Sequence, residues 1–204
     1  MRRTAKRERY HHGDLRAALV DVTVELIAER GVQAFSVTEA SRRLGVAVSA
    51  PYRHFADRNE LLVAAGVRAC EALVASVAAE SEGANSAAER LAAAARGYVR
   101  FAAEHRALFE VIFSANLDRD GHPEILSAAA PVKSAFQQAA LELSDDDWER
   151  AETLSVAVAA VAHGHAGMQA LGAFGEGDLK TALERAGAAT LALVDGRAAL
   201  YPRL

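Results

Sequence analysis

Apolar residues recur at intervals of three and four along nearly the whole chain, the period of a helix with one buried face. Leu15, Leu19, Val22, Leu26 and Ile27 fall on one such face, with Asp14 as candidate cap and Gly31 as terminator. Val37, Ala40 and Leu44 form a shorter face. It is opened by Ser36 and Glu39, the spacing of a capping box in which each side chain satisfies a free backbone N–H. Gly45 ends that helix, Val46 turns inward, and a second short helix is predicted from about Val48 to His54. Asp57 and Glu60 repeat the capping-box spacing and open a long apolar helix through Leu61, Leu62, Val67, Leu73 and Val77 to about Glu80. Gly83 and Asn85, within Ser81 to Ser86, interrupt the pattern and set a domain boundary.

Five further helices are predicted beyond it. Ser86 and Glu89 cap one carrying Leu91, Tyr98, Phe101 and Ala102. A short one holds Leu108, Phe109, Val111, Ile112 and Phe113, followed by a polar loop from Asn116 to Pro123. The next runs to about Leu143 with Ile125, Val132 and Phe136 inward, and its interior Pro131 should bend or break it, because proline removes a backbone donor. Ser144 to Asp147 cap a long helix through Trp148, Leu154, Val158, Val161 and Met168 to about Phe174, and the last begins near Asp178. The sequence is Ala-rich, and no Asn-Gly or Asp-Gly turn joins alternating apolar runs. The expected fold is therefore all-α, with about nine helices.

Two short helices joined by a glycine turn make a helix-turn-helix, whose second helix fits the DNA major groove. The residues here resemble the tetracycline-repressor (TetR) family. Gly45-Val46, then Tyr52-Arg53-His54-Phe55, then Arg58-Asn59-Glu60-Leu61-Leu62 meet the family's pattern, and the likeness reaches back over Asp14 to Gly31. Ala47 stands where the family usually has a capping Ser, and Val48 where a polar or basic residue is common. The resemblance implies a basic arm over residues 1–12, a DNA-binding domain over 13–73 with its motif at 36–55, and a regulatory and dimerisation domain over 84–200. It also implies that Thr38, Tyr52, His54 and Arg58 grip phosphates while Val48, Ser49 and Ala50 lie at the groove floor. Arg58 would sit in the first turn of a helix, where free N–H groups favour an anion. Lys6 and Arg7 belong to the arm, which also carries Arg2, Arg3 and Arg9 and can order on phosphates or in the minor groove.

Charge agrees with this division. The 204 residues carry a net charge of −4, yet residues 1–60 hold 11 Lys+Arg against 8 Asp+Glu, and the remainder 12 against 19. A basic head on an acidic body suits a double-stranded DNA partner. The single cysteine, Cys70, forms no internal disulfide, and a reducing cytoplasm is the expected location. Arg2 and Arg3 are followed by more charge, so no secretory signal is expected. Thr153 to Gly175 lacks a formal charge and is long enough to span a bilayer, but His163, His165, Gln169 and many Ala and Gly point to a buried helix, and no membrane partner is expected.

The candidate chemistry lies in the body. Leu179, Leu183, Ala186, Thr190 and Leu193 follow a four-three-four-three seam suited to helix packing. Ala157, Ala160, Gly164, Gly167 and Ala170 on the preceding helix would let axes approach closely. This seam builds either a monomer core or, as the family resemblance implies, a four-helix homodimer interface. The resemblance also implies an apolar effector pocket, for which Tyr98, Phe101, Phe109, Phe113, Phe136, His163 and Met168 are candidates; the same aromatics could be plain core. His163-Gly164 resembles a TetR subgroup with Trp and then His-Gly at this place, although the Trp is absent here. His163 either lines a pocket or is a buried histidine satisfied by a backbone carbonyl.

Tyr10-His11-His12-Gly13 offers two adjacent histidines, but no carboxylate or cysteine stands at ligand spacing, so neither a metal nor a cofactor is expected. The leading expectation is a DNA-binding regulator, a repressor released from a palindromic operator by a small apolar molecule. Two others stand beside it: a regulator controlled by a protein partner with no ligand cavity, and a helical enzyme using His163, His165 or His105 as a base. No nucleophile elbow, phosphate loop or metal-ligand pattern supports the enzyme.

Overall fold

A computed structural model of the chain describes residues 15–114, 117, 121–173 and 179–201. Among these there is no strand, and eight α-helices follow one another: α1 (Leu15–Arg30), α2 (Val37–Leu44), α3 (Arg58–Ser81), α4 (Ala87–Glu104), α5 (Arg106–Ser114), α6 (Pro123–Glu142), α7 (Trp148–Ala170) and α8 (Leu179–Asp195). The caps at α3, α4 and α7 are side-chain caps. Asp57 accepts from the Glu60 N–H, Ser86 from the Glu89 N–H and Asp147 from the Arg150 N–H. Glu60 and Glu89 reach back to the N–H groups of Ala56 and Asn85, one residue before each cap, at 2.7 and 2.8 Å.

Three expectations change. Ser36 makes no side-chain cap to α2, and the Glu39 carboxylate that would complete the box is drawn instead to Arg42 at 2.6 Å, with Arg30 at 3.7 Å. The helix predicted over 48–54 is a single 3-10 turn at Pro51–Arg53. Pro51 has no N–H to return to Ala47, so the chain closes i→i−3 bonds instead, Ala50 to Ala47 at 2.8 Å and Arg53 to Ala50 at 3.2 Å. Pro131, by contrast, does not break α6, which runs unbroken through it. The cap predicted at Asp14 and the arm lie outside the described residues.

α3 belongs to two cores at once. Its first half places Leu61, Leu62 and Ala65 against Leu19, Leu26 and Ile27 of α1, with Phe35, Phe55 and Val111 of α5 closing the head. Its second half places Ala69, Leu73 and Val77 in the body core with Leu91 and Phe101 of α4, Leu154 of α7 and Ala182 of α8. The segment 81–86 is thus a turn, with Gly83 at φ +81°, while the two cores meet within α3. α3 alone among the described helices is long and apolar enough to cross a membrane, and half of its apolar window is buried inside the chain.

The body is held by close helix approach. A Cβ at Gly97 of α4 would stand 2.6 Å from the Val77 Cα, so the α3 and α4 backbones touch there. Ser76 Oγ donates to the Gly97 carbonyl at 2.8 Å, and Glu80 pairs with Arg96 and Arg100 beside it. α8 lies against α4, with Gly187 seated on the Arg96 side chain. Leu183, Ala186 and Thr190 are buried within the chain, so this part of the four-three-four-three seam packs inside the monomer and cannot also serve a dimer. Leu179 and Leu193 pack at the edge of the same core.

Candidate nucleic-acid interface and effector cavity

The reading surface is a rigid platform with short side chains. Gly45 ends α2 in the left-handed region at φ +68°, and its N–H and that of Val46 return to the carbonyls of α2. The chain then leads into the 3-10 turn, anchored from below by the buried Pro51 and Phe55. Above them Thr38, Val48, Ser49, Tyr52 and His54 are exposed and Ala50 is half-buried. Val48 and Tyr52 are each 53% exposed.

Arg58 is placed differently from the free phosphate grip expected of it. Its Nη2 donates to the Val32 carbonyl at 2.7 Å and its Nε to the Phe35 carbonyl at 3.1 Å, with the guanidinium over the Phe35 ring. The Val32 carbonyl also accepts from the Phe35 N–H at 3.3 Å, and Arg58 ties this connection to the start of α3 as a strut of the head. The anion-favouring end of α3 is also occupied, by the carboxylates of Asp57 and Glu60.

The other cations of the head are largely neutralised. Arg43 grips Glu29 through two bonds at 2.6 and 2.7 Å, and Arg42 pairs with Glu39. The Arg43 hydrogen bond holds the Glu29 carboxyl below its ordinary value, and Arg42 does the same for Glu39. Arg16 lies over the Phe55 ring. Residues 1–12 carry five Lys+Arg and one Glu, whereas residues 13–60 carry six and seven acids. The net basic charge of the first 60 residues therefore resides in the arm, with Lys6 and Arg7, outside the described residues.

In the body, α6 and α7 form one wall of an open cavity of about 660 Å³, bounded by α3, α4 and α5. Tyr98, Phe113, Phe136 and His163 line it. Phe101 is fully buried in the core, Phe109 stands behind the wall with its ring stacked on His163 at 5.6 Å, and Met168 is 45% exposed outside it. These three therefore do not line the cavity. His163 Nδ1 is 2.8 Å from the Tyr98 hydroxyl, and its ring meets Phe113 edge-on at 4.9 Å. The backbone-carbonyl contact weighed for His163 belongs instead to His165, whose Nδ1 is 2.9 Å from the Val161 carbonyl.

Sequence reasoning missed Cys70, Leu73 and Gln137 in the lining. Gln137 had a signal: Ala129, Val132, Lys133, Phe136 and Gln137 share one face of α6 and all line the cavity. Of the small residues on α7, Gly164 is exposed and Gly167 half-buried, with no neighbour within 4 Å of a Cβ built on either. They lie near the exposed side chains of Met168 and Leu171.

Two family descriptions match the chain: "Bacterial regulatory proteins, tetR family" over residues 19–65, and "Tetracyclin repressor-like, C-terminal domain" over residues 91–193. No curated protein matches by sequence. Among solved structures, a protein of unknown function from Rhodococcus sp. RHA1 is 25% identical, covering 91% of this chain and 97% of its own, with a TM-score of 0.76. The TetR family transcriptional regulator PfmR from Thermus thermophilus is 19% identical, covering 86% and 96%, with a TM-score of 0.65. The transcriptional regulator FadR from Bacillus subtilis, solved in complex with stearoyl-CoA, is 16% identical, covering 87% and 96%, with a TM-score of 0.66.

Proposed function

Because the chain belongs to the tetracycline-repressor family of DNA-binding transcriptional regulators, and is thus not an enzyme, we propose that it is a repressor released from a palindromic operator by a small apolar molecule bound in the body. The observation that carries this reading is the double membership of α3. The same helix supplies Leu61 and Leu62 to the head core and Cys70 and Leu73 to the cavity wall. A ligand that shifts the second half of α3 must move the first, and with it the reading turn.

The walls support an apolar ligand, since aromatic and aliphatic groups dominate and the charged Lys133 and Glu152 are exposed. The volume is within the range of ordinary ligand sites, and this favours small-molecule control over control by a protein partner. The stearoyl-CoA held by the B. subtilis regulator of the same fold is consistent with that choice. Tyr52, His54 and Thr38 would contact phosphates, and Val48, Ser49 and Ala50 the groove floor, where small side chains leave much of the selectivity to DNA shape. Such a regulator acts on cytoplasmic DNA.

A palindromic operator needs a homodimer, with reading turns spaced by about one helical turn of DNA, roughly 34–36 Å or a multiple. The exposed side chains of Met168 on α7, Leu171 just past its end and Leu191 of α8 mark the face available for it. Gly164 and Gly167 on the same helix would allow a close crossing. The test is selection of duplexes from random DNA, followed by affinity measurement with and without cavity ligands. Phe113→Ala should weaken release while leaving operator affinity intact. An equal response to ligand in Phe113→Ala and the parent would remove this cavity from the mechanism.

A further inference from the structure

Arg53 is the cation of the head that the fold leaves uncommitted. The other described arginines of the head each have a partner. Arg43 holds Glu29, Arg42 and Arg30 share Glu39, and Arg68 pairs with Asp21. Arg58 donates to the Val32 and Phe35 carbonyls, and Arg16 lies over the Phe55 ring. Arg53 is exposed, and no acid, carbonyl or ring among the described residues holds its guanidinium. Moving a paired arginine onto DNA forfeits its pair, whereas Arg53 gives up only side-chain freedom.

The turn that carries Arg53 sets its direction. Neighbouring side chains in a 3-10 turn stand about 120° apart, since three residues complete a turn. Pro51 is buried and marks the inward side, so Tyr52 and Arg53 project to either side of it, and both are exposed. Residues three apart eclipse in such a turn, and the Arg53 N–H closes on the Ala50 carbonyl at 3.2 Å. Arg53 therefore stands on the side of Ala50, at the end of the surface that Val48, Ser49 and Ala50 present. That surface offers a groove floor two apolar side chains and one hydroxyl, and no pair of donors that would single out one base pair. The guanidinium supplies such a pair, because its parallel N–H groups match the O6 and N7 acceptors of guanine in the major groove.

We infer that Arg53 reads a guanine in each half-site of the operator, donating to O6 and N7. It is the specificity-determining side chain of a turn whose groove-floor residues are otherwise small. The inference rests on reading this turn as the surface that enters the groove, and the two can fail separately.

Duplexes selected from random DNA by the full chain define the operator, and anisotropy titrations with single-base variants of it test the assignment. The parent protein should require guanine at one position of each half-site, and any other base there should cost about 5–150-fold in affinity. Replacing that guanine by 7-deazaguanine, which keeps base pairing but lacks the N7 acceptor, should cost about tenfold. Arg53→Ala should bind all these duplexes within about twofold of one another while keeping its discrimination at every other position. Its melting temperature should be that of the parent, because Arg53 has no partner to lose. A loss spread evenly over all duplexes, with a salt slope shallower by about one unit, would make Arg53 a phosphate contact and overturn the inference. A guanine preference that survives in Arg53→Ala, or half-sites without guanine, would overturn it too, while DNA binding by the turn stands. Selection of no common duplex by the parent, or undiminished binding by Ser49→Glu, would overturn the reading of the turn itself.

Discussion

The head core is filled by branched and aromatic side chains, with Leu19, Leu26, Ile27, Phe35, Phe55, Leu61 and Leu62 all nearly or wholly buried. The α6–α7 wall of the body cavity carries Ala129, Ala159 and Ala160 instead. Large groups leave the reading platform one arrangement, which a surface that must match DNA requires. Small groups at the α6–α7 wall leave room for a guest. The two regions also differ in charge. Arg43 and Arg58 of the head are bonded to its own acid and carbonyl groups, whereas the cavity lining is mostly apolar.

If the head's own cations are committed in this way, the arm must supply much of the affinity for phosphate. Deleting residues 1–9 should weaken binding to all duplexes on the order of 100-fold at moderate salt. It should also make the salt dependence shallower by roughly four units in log–log slope. Gel-shift or anisotropy titrations across a salt series read both quantities. An unchanged slope would mean that the folded head makes the phosphate contacts.

Charge placed on the two faces of the last helices sharpens the contrast between interior and surface. Leu183→Arg buries a cation against α4 and should cost several kcal/mol, enough to unfold much of the protein. Leu171→Arg, at a position 83% exposed, should cost less than about 0.5 kcal/mol in the monomer while shifting the sedimentation of a dimer. A folded monomer from Leu183→Arg would restore the seam as the interface. A dimer unaffected by Leu171→Arg would place it away from the end of α7.

Arg58→Ala separates strut from phosphate contact. Losing a charged donor to the Val32 and Phe35 carbonyls should destabilise the head by about 1.5–3 kcal/mol, seen as a lower melting temperature. The salt slope of DNA binding by the folded fraction should stay the same. A slope shallower by about one unit with unchanged stability would return Arg58 to the phosphates.

The smallest expected effect is that of acid. Glu29 and Glu39 are held below their ordinary value of 4.5 by hydrogen bonds from Arg43 and Arg42. A lowered carboxyl contributes stability that is complete above its unfolded value and lost as pH falls through the folded one. Stability from these two pairs should thus be constant above about 4.5 and decline below it. Arg43→Ala should flatten that decline in thermal melts taken across the window.

Much of this was legible in the chain. The capping residues at Asp57, Ser86 and Asp147 act over three residues of backbone, so local spacing is enough to find them. Ser36 and Glu39 have the same spacing, but Arg42 and Arg30 compete for the carboxylate, and Arg30 comes from another helix. The reading turn was placed correctly and given too much helix, because Pro51 removes the bond that would have extended it. The carbonyl partners of Arg58 and the inward packing of the α8 seam were hidden for a shared reason. A period or a charge tells that a side chain has a partner, but the partner is fixed by tertiary contacts, here the Val32 carbonyl and α4. Tyr98, Phe113, Phe136 and His163 were visible as aromatic groups on four separate apolar helices. What separates them from Phe101 is the space left by alanines on another helix.

The central claim is that α3 couples the cavity to the reading turn, and reciprocity tests it most directly. Operator affinity would be measured with and without a saturating cavity ligand, and ligand affinity with and without operator. The account predicts that each lowers the other by the same factor, roughly 5–150-fold. A ligand that fills the cavity and leaves operator affinity unchanged would contradict it.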